Sequence, residues 1–298
     1  MNEVRRGNPE PKTAAVSRFW RDDRLPFIEA REVQDGRKVC YAKHFHETFS
    51  IGVITGGRST YLNQAARSQV GAGAVVVMNP GDVHACNPID DQPWSYRMLY
   101  VDTRWLASLQ HELGLDANQG YHPFASILST EPVLYAAFNR LYDVLTAPDA
   151  EPLRKHSTAV TFFTQAQQYL NPSASLPQHA NPRIERAADF ISDNCTRPLK
   201  LDEICQAAEL SASYLIRAFK KRYGMTPHAF LVNRRVQFAR AQLKRGHGIA
   251  EVAHEAGFAD QAHFQRAFKQ LLAATPGQYQ GQPRGLARRP LKKPALEP

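Results

Sequence analysis

The sequence is poor in cysteine, and its few cysteines stand too far apart to form the usual paired sites. Four of the 298 residues are cysteines, and no two of them form a Cys-x-x-Cys pair: Cys40, Cys86, Cys195 and Cys205. A disulfide framework or a zinc knuckle is therefore not expected. Reduced thiols agree with a cytoplasmic protein, because disulfides rarely persist in the cytosol.

The sequence also lacks a long hydrophobic run. No segment approaches the roughly 20 apolar residues that a membrane-spanning helix needs. The first residues, MNEVRRGNPEPK, are charged and contain no hydrophobic stretch of the kind that a secretory signal requires. We therefore expect a soluble, cytoplasmic protein with no membrane partner.

Acidic residues are scarce in the C-terminal part of the chain. From Arg183 onward, 20 Lys and Arg stand against 10 Asp and Glu, whereas residues 1–182 contain 17 basic and 18 acidic residues. The net charge of +9 therefore comes entirely from the last 116 residues. A neutral region joined to a basic one predicts a polyanionic partner for the second region.

Two kinds of hydrophobic pattern divide the chain. From about 25 to 105, short apolar segments such as FSIGVITGG, AVVVM and WSYRMLYVD are separated by turn residues, which predicts a β-sandwich or barrel. From about 131 to 170, and again after a proline-rich stretch, the apolar spacing is helical. The predicted fold class is α+β, with a flexible tail (1–20), a β-barrel domain with trailing helices (21–170), a linker (171–182), an all-α domain (183–281) and a basic disordered tail (282–298).

The helical part contains two copies of one helix-turn-helix pattern. LDEICQAAELSASYLIRAFKKRYGMTPHAFL (201–231) and IAEVAHEAGFADQAHFQRAFKQLLAATPGQYQ (249–280) align throughout. In each copy the second helix has an apolar inner face and a polar outer face. Ser211 and Asp260 are expected to cap these two helices.

Residues 183–280 resemble the DNA-binding domain of the AraC/XylS family of bacterial transcription regulators. IAEVAHEAGFADQAHFQRAFK followed by TPGQY matches the family signature almost position for position. The resemblance implies seven helices, in two helix-turn-helix subdomains that a long helix joins. It also implies an effector-responsive, homodimeric regulator, more often an activator, whose two recognition helices read successive major-groove segments of double-stranded DNA and whose output acts on RNA polymerase.

The resemblance assigns roles to positions on the outer faces of these helices. The family's base-contacting positions fall on Ser213, Ile216, Arg217, Gln261, Ala262 and Arg266. Arginine can pair bidentately with guanine and glutamine with adenine, whereas alanine and isoleucine can contact a thymine methyl group. Phosphate contacts are expected from Lys220, Lys221, Arg222 and Lys269. A solvated polar face is the alternative for one such helix, but two copies and the local positive charge weigh against it.

Two positions depart from the family pattern. Glu209 stands where the family has a turn glycine, and Ala273 stands where the first copy has Gly224. Glu209 is expected to adopt the turn without the conformational freedom of glycine, and to place a carboxylate near the DNA-facing side. We therefore expect weaker DNA binding by the first motif.

The β-rich part resembles the cupin-like effector-binding domain that precedes the DNA-binding domain in many members of this family. Cupins bind metal through His-x-His, a later Glu and a further His, and His44, His46 and His84 stand at the histidine positions. The usual glutamate position falls on Ser50 or Ile51, and the side chain of Glu47 is expected on the opposite strand face. We favour contact with a small organic effector for the histidines, with strand packing and a metal site as alternatives, and predict no cofactor.

Aromatic residues on one strand give a second candidate for the pocket. Trp94 and Tyr96 share a strand face with Met98 and Tyr100, and the face is either barrel core or the wall of the effector pocket. Arg97 lies on the other face. The helices over 131–170 are expected to form the dimer contact, with packing on the barrel as the alternative. A metal-dependent cupin enzyme, such as a dioxygenase, fused to a DNA-binding domain is the competing function, which the missing glutamate disfavours.

Overall fold

The fold is known from a computed structural model that describes residues 17–37, 39, 41–115, 120–170 and 181–281. Within these residues, a domain of strands and three helices precedes a domain of helices alone. The elements of the first domain are β1 (Ser17–Trp20), β2 (Ile28–Val33), β3 (Phe49–Asn63), β4 (Ala66–Gly71), β5 (Val75–Met78), β6 (His84–Pro88), β7 (Trp94–Val101), α1 (Thr103–Glu112), β8 (Leu128–Ser129), α2 (Pro132–Thr146) and α3 (Pro152–Leu170).

The sheet is built around β3, a strand of 15 residues. The first half of β3 pairs antiparallel with β5 and β7, and its second half pairs with β4 and β6. Between the halves the register shifts at Ile54–Gly56, and Gly57 follows with a φ of 69°. A Cβ atom on Gly57 would lie 2.0 Å from the carbonyl oxygen of Pro93, so this bend requires glycine.

The sheet is a partly open barrel with two different faces. Its hydrogen-bonded order is β1-β2-β7-β3-β5-β8, and the two outermost strands do not pair with each other in the described residues. One face packs against α1, α2 and α3 in a large apolar core. The other face surrounds an internal cavity and includes Val33, Ile54, Trp94, Tyr96 and Met98.

The apolar faces of α2 and α3 pack against the sheet. Packing on the barrel was the alternative that the sequence analysis gave to a dimer contact of these helices. Phe138 and Phe163 are fully buried in the core that these helices share with the strands. Two apolar side chains remain exposed on this layer, Val133 at 50% and Leu153 at 74%. Packing within the chain therefore covers most, but not all, of the helical apolar surface.

The predicted N-terminal tail is too long by four residues. Ser17–Trp20 forms β1 and pairs with β2 over the register Ser17↔Val33 to Trp20↔Ala30. The side chain of Phe19 is buried and joins the core of the helical domain. Residues 1–16, most of the predicted linker (171–180) and the predicted basic tail (282–298) lie outside the described residues.

The C-terminal domain contains the seven helices that the resemblance implies. They are α4 (Pro182–Asp193), α5 (Leu201–Ala208), α6 (Ala212–Tyr223), α7 (Pro227–Arg245), α8 (Ile249–Glu255), α9 (Gln261–Leu272) and α10 (Pro276–Gln280). The 19-residue α7 packs its N-terminal half into the first apolar cluster, with α4 to α6. Its C-terminal half packs into the second, with α8 to α10. This arrangement confirms the predicted α+β fold class, with two helix-turn-helix units joined by a long helix.

The turns of the two units show how the departures from glycine are accommodated. Glu209 ends α5 with a φ of 53°, and Ala273 ends α9 with a φ of 50°, both in the left-handed region. Gly224 occupies the same conformation after α6 without the steric penalty. The expectation that Glu209 adopts the turn without glycine is therefore correct.

Candidate functional site

The outer faces of α6 and α9 are the candidate DNA-reading surface. Leu215 and Phe219 anchor α6 in the first core, whereas Phe264 and Phe268 anchor α9 in the second. Every residue that the resemblance assigns to a base or a phosphate is exposed: Ser213, Ile216, Arg217, Lys220, Lys221, Arg222, Gln261, Ala262, Arg266 and Lys269. The helical period and the structure therefore agree on which face of each helix is available to a partner.

The N-termini of the two recognition helices are fixed differently. Asp260 caps α9, because its carboxylate accepts a hydrogen bond from the backbone N–H of His263 at 2.6 Å. Ser211 occupies the cap position of α6, but its side chain makes no capping hydrogen bond. The predicted cap therefore forms on α9. On α6, Ser211 occupies the cap position without making the capping hydrogen bond.

The DNA-facing side of the first unit includes a paired carboxylate and two exposed apolar side chains. The Glu209 carboxylate lies 3.8 Å from Arg183 and 3.7 Å from Arg186, so its charge is shared with two arginines of α4. Tyr214 and Ile216 of α6 are 43% and 38% exposed. An exposed isoleucine on this face is suited to contact with a thymine methyl group.

The three candidate histidines meet at one end of the cavity. The ring centroid of His84 lies 4.4 Å from that of His44 and 4.5 Å from that of His46. One ring nitrogen of each histidine lies within 4.8 Å of the other two. The structure therefore brings together the group that the sequence placed on two separate motifs.

Each histidine ring is oriented by a hydrogen bond at Nδ1. His44 Nδ1 is 2.8 Å from the carbonyl oxygen of Ala42, and His84 Nδ1 is 2.8 Å from that of Asp82. His46 Nδ1 is 3.0 Å from Oγ of Ser50, one of the two residues on which the usual cupin glutamate position falls. These bonds leave Nε2 of each ring as the nitrogen available to a ligand or a metal.

Burial keeps the imidazoles neutral. Burial, together with the neighbouring His84, lowers the pKa of His44 and of His46 well below 6.5, and burial lowers the pKa of His84 to about 4. The nearby Cys86 is similarly affected, since burial raises the pKa of its thiol to about 12 and leaves it unreactive. The site thus presents uncharged nitrogen donors at neutral pH.

The aromatic strand face is both core and cavity wall. Trp94 and Tyr96 are 2% and 4% exposed, stack with ring centroids 4.6 Å apart and line the cavity. Trp94 Nε1 donates to the carbonyl oxygen of Gly36 at 2.9 Å, and the Tyr96 hydroxyl bonds that of Tyr41. The two predictions for this face are therefore not exclusive.

A buried arginine that the sequence analysis missed lies beside these tyrosines. Arg31 is 1% exposed, and its guanidinium carbon lies 5.8 Å from the ring centroid of Tyr41 and 6.0 Å from that of Tyr96. Its Nε donates to Oγ of Ser17 at 3.0 Å, and no carboxylate in the described part of the chain pairs with it. A desolvated positive charge without a carboxylate partner favours an anionic ligand nearby.

The alternation of side chains along β2 could have predicted that Arg31 points inward. Val33 faces the cavity, so the alternation of β2 places Arg31 on the same face. Arg97 lies on the outer face, as the sequence analysis expected. Its guanidinium bonds Glu32 at 3.0 Å and Asp143 at 2.9 Å, so it does not serve the cavity.

Residues 42–47, here called the bridge segment, connect the cavity to the helical domain. His44 and His46 point into the cavity, whereas Phe45 lies between them and packs against Phe230 with ring centroids 4.9 Å apart. The carbonyl oxygen of Phe45 accepts hydrogen bonds from Asn233 Nδ2 at 3.1 Å and from Gln237 Nε2 at 3.2 Å. One short extended segment thus contacts both the pocket and α7.

Other contacts of the bridge segment and β2 reach both subdomains. Glu47 faces away from the histidines, as expected, and pairs with Arg234 of α7. The backbone N–H of Ala42 donates to the carbonyl oxygen of Gln270 at 3.0 Å, near the end of α9. Arg31 also approaches the carbonyl oxygen of Ala273 at 3.5 Å. The second recognition helix therefore ends against the cavity.

A second interdomain contact is a buried ionic cluster. Glu29 is buried, and its carboxylate lies 3.0 Å from Arg21, 3.5 Å from Arg240 and 2.5 Å from Lys244. Arg240 and Lys244 belong to α7, so the cluster joins the sheet to the long helix. It borders a cleft of about 590 Å³ between the two domains.

Comparisons with known proteins agree with this architecture. The profile of the family described as a helix-turn-helix domain matches residues 204–282, and that described as an AraC-like ligand binding domain matches residues 28–161. The uncharacterized HTH-type transcriptional regulator YbfI of Bacillus subtilis is 24% identical over 226 residues, 75% of this chain and 81% of that protein. The HTH-type transcriptional regulator MtrA of Neisseria gonorrhoeae is 38% identical over 98 residues, 33% of each chain.

A solved structure shares the fold of the whole chain. Unsaturated fatty acid-bound ToxT from Vibrio cholerae superposes with a TM-score of 0.54 at 16% identity, covering 94% of this chain and 99% of that one.

A ligand-binding sheet domain joined to paired helix-turn-helix units defines an effector-responsive, DNA-binding transcription regulator. The chain belongs to the AraC family of transcriptional regulators. Within its described residues, every helix is too short or too polar to cross a bilayer.

Proposed function

We propose that this regulator senses a small organic anion in the N-terminal cavity and converts occupancy of the cavity into a change in promoter binding. The observation that carries the proposal is the bridge segment. Its two histidines line the cavity, while Phe45 lies in the core of the first helix-turn-helix unit. A ligand that displaces the imidazoles therefore acts directly on a contact with α7.

The recognition helices carry the sequence-dependent part of the function. In this proposal, Ser213, Ile216 and Arg217 on α6 read one major-groove segment. Gln261, Ala262 and Arg266 on α9 read the next. Lys220, Lys221, Arg222 and Lys269 bind phosphates, which supplies affinity without sequence information. The exposure of all these side chains supports the assignment.

The chemistry of the cavity indicates the class of effector. The walls of the cavity are mainly aromatic and aliphatic. Arg31 supplies a buried positive charge beside the rings of Tyr41 and Tyr96, in a small adjoining pocket that shares His44 and His46 with the cavity. An apolar molecule with one carboxylate fits both properties, because the carboxylate can pair with the guanidinium and the remainder can pack on the rings. The structurally similar ToxT is described as binding an unsaturated fatty acid, which is a ligand of the same chemical class.

The effector acts by shifting the population of a DNA-competent arrangement of the two domains. The bridge segment contacts α7, and Ala42 and Arg31 contact the end of α9. A change in the cavity therefore alters the relative placement of the two recognition helices. Their spacing must match successive major-groove segments, so a small shift changes affinity for the promoter.

The remaining parts of the proposal concern assembly and output. We propose that the exposed apolar residues of α2 and α3, Val133 and Leu153, contribute to a homodimer contact. The dimer binds its promoter in the cytoplasm and recruits RNA polymerase, and it catalyses no reaction of its own. A sedimentation measurement of the wild type and of Leu153→Glu tests the dimer: the variant is expected to be monomeric.

The central experiment identifies the DNA first and the effector second. Genomic fragments bound by the purified protein are sequenced with and without cell extract, and the genes beside the bound sites indicate the metabolite. Affinity for one selected fragment is then measured against a panel of carboxylic acids and their amides. The acids are expected to change the affinity and the amides are not; equal effects of both would overturn the anionic class.

A matched pair of arginine variants tests the site. Arg31→Gln is expected to bind the fragment still, but with an affinity that the acid no longer changes. Arg97→Gln removes an arginine from the outer face of the adjacent strand and is expected to keep the response. A response that survives in Arg31→Gln would exclude this arginine from effector binding.

A further inference from the structure

We propose that the cleft between the two domains binds a zwitterionic α-amino acid with an apolar side chain. The cleft has a volume of about 590 Å³. Small-molecule sites in proteins usually occupy about 300–1,000 Å³, so a molecule of this size can be accommodated. Of the residues that line the barrel cavity, only Tyr100 also lines the cleft. The proposed site is therefore separate from the cavity.

The two walls of the cleft carry charges of opposite sign. The sheet domain contributes four carboxylates, those of Asp22, Asp23, Glu29 and Asp102. Two of these pair with arginines, but Asp23 and Asp102 have no basic partner in the described part of the chain. The helical domain contributes Lys244 and Arg245 and no acidic residue to the lining. A molecule with separated positive and negative groups is therefore attracted to both walls at once.

Buried polar atoms without a partner are concentrated at this cleft. Of six such atoms in the residues that the structure describes, three belong to the lining: Arg21 Nη2, Glu29 Oε1 and Thr48 Oγ1. Nε and Nη1 of Arg21 donate to Glu29 and to the carbonyl oxygen of Tyr279, both at 3.0 Å, which leaves Nη2 for a ligand. Buried polar groups are normally hydrogen-bonded, so this concentration indicates a polar partner in the cleft.

Much of the remaining lining is apolar and rigid. Phe27 stacks on Trp105 with ring centroids 4.2 Å apart. Leu25 is held in the core of the sheet domain, and Leu243 is held in the core of the second helix-turn-helix unit. Such a surface favours a ligand whose uncharged part is aliphatic or aromatic. An amino acid with an apolar side chain therefore fits both the charges and the apolar lining.

The charges assign a place to each end of the amino acid. Its ammonium group is expected at Asp23 and Asp102, where the Thr48 hydroxyl supplies a further acceptor. Its carboxylate is expected at Arg245 and at Nη2 of Arg21. Hydrogen bonds between charged partners are the stronger ones, so these contacts supply most of the specificity for a zwitterion.

The bound amino acid would link the two domains, because Asp102 belongs to the sheet domain and Arg245 to α7. A ligand that needs both walls stabilises the arrangement in which the walls face each other. The cleft is thus a second input to the relative placement of the domains. This consequence rests on the proposed regulatory function, whereas the binding of the amino acid does not.

The first test measures binding to the full chain by calorimetry. The probes are L-leucine, L-isoleucine, L-phenylalanine and L-tryptophan. Two analogues of phenylalanine each lack one charged group: 2-phenylethylamine and 3-phenylpropionate. The protein is Arg31→Gln, so that a carboxylic acid cannot use the arginine proposed for the barrel.

At least one of the four amino acids is expected to bind with one equivalent. Each analogue is expected to bind at least about tenfold more weakly than phenylalanine, because one charge-assisted contact is lost. An analogue that binds as tightly as phenylalanine would overturn the assignment to a zwitterion. The absence of saturable binding by all four amino acids up to about 10 mM would overturn the site itself.

One charge variant on each wall tests the placement of the ligand. Asp23→Asn and Arg245→Gln change exposed side chains, and each is expected to weaken binding of the amino acid about tenfold. Arg67→Gln removes an exposed arginine of β4 that does not line the cleft, and should leave binding unchanged. Wild-type affinity in both cleft variants, or an equal loss in Arg67→Gln, would overturn the proposal.

Thr48→Val separates a ligand contact from a structural role. The change replaces the unpartnered hydroxyl by a methyl group of similar shape. It is expected to weaken binding about tenfold without lowering the melting temperature, because no hydrogen bond of the free protein is lost. A lower melting temperature with unchanged binding would contradict the proposal. The response of DNA affinity to carboxylic acids is measured separately, so the proposed regulatory function does not depend on these results.

Discussion

Two side chains on the outer face of α9 differ in what they contribute to DNA binding. Arg266 and Lys269 are both exposed and lie three residues apart on this helix. An arginine in the major groove can make two hydrogen bonds to guanine, whereas a lysine beside it neutralises a phosphate. The same change to alanine therefore has different consequences at the two positions.

We expect Arg266→Ala to cost about 1–3 kcal/mol of binding free energy on the preferred site and to relax preference at one base pair. Lys269→Ala should weaken binding to all sequences alike and reduce the salt dependence by about one counterion. Selection from a random DNA library, with titrations at several salt concentrations, distinguishes these outcomes. An unchanged preference in Arg266→Ala would remove α9 from the major groove.

Two other single residues are strained by their backbone conformation. Glu209 and Ala273 have φ values of 53° and 50°, in a region that costs a non-glycine residue about 1–2 kcal/mol. Ala273→Gly is therefore expected to raise the free energy of unfolding by about 1 kcal/mol, less the greater entropy of glycine in the unfolded chain. Thermal unfolding checks the change, and Ala274→Gly, at a neighbouring buried alanine, should destabilise instead.

At the scale of the element, the bridge segment depends on the alternation of its side chains. His44 and His46 face one way, and Phe45 and Glu47 face the other, which is the period of two expected of an extended chain. Phe45 is 5% exposed and packs on Phe230. The segment can therefore transmit a displacement at the histidines to α7 without any change of secondary structure.

We expect Phe45→Leu to preserve folding, because the substitution keeps most of the apolar volume, but to reduce the effect of the effector on DNA affinity. The measurement compares the ratio of affinities with and without effector in the variant and in the wild type. Phe49→Leu, at a buried phenylalanine that packs on α3 and not on α7, is the control. A ratio that falls equally in both variants would assign the loss to general destabilisation.

The sequence predicted some elements far better than others. The helices of the C-terminal domain follow from a 3.6-residue period that repeats twice, so their outer faces could be assigned before the structure was known. β1 was missed because four residues carry too little periodicity, and its pairing with β2 is a long-range contact. Arg31 was missed for a related reason: its burial follows from the position of β2 between β1 and β7.

At the scale of the whole molecule, the buried carboxylate of Glu29 joins the two domains. Burial alone would raise its pKa, but Lys244, Arg21 and Arg240 outweigh burial and lower the pKa well below its ordinary value of 4.5. A carboxyl group with a lowered pKa in the folded state stabilises that state fully above its unfolded pKa. The stabilisation is lost as the pH falls below about 4.5.

We therefore expect the contact between the two domains to weaken progressively as the pH falls from about 4.5 toward the strongly lowered pKa of folded Glu29, so that the domains separate in acid. Glu29→Gln should weaken the contact already at pH 7, because three cations are left without their shared partner. Small-angle scattering detects the separation as an increase in the radius of gyration. Glu32→Gln, whose partner Arg97 lies in the same domain, should keep the compact form at pH 7.

The interdomain contacts also set a rule for building hybrid sensors. A chimera that exchanges the DNA-binding domain at residues 171–182 keeps the chain connected, but it separates Phe45 from Asn233 and Gln237, and Glu29 from Lys244. The two residues of each contacting pair lie on opposite sides of the linker, so both must come from the same parent protein. A hybrid that takes residues 42–47 and the helical domain from the same donor should respond to the effector of the barrel. A hybrid joined at the linker alone should bind DNA without responding.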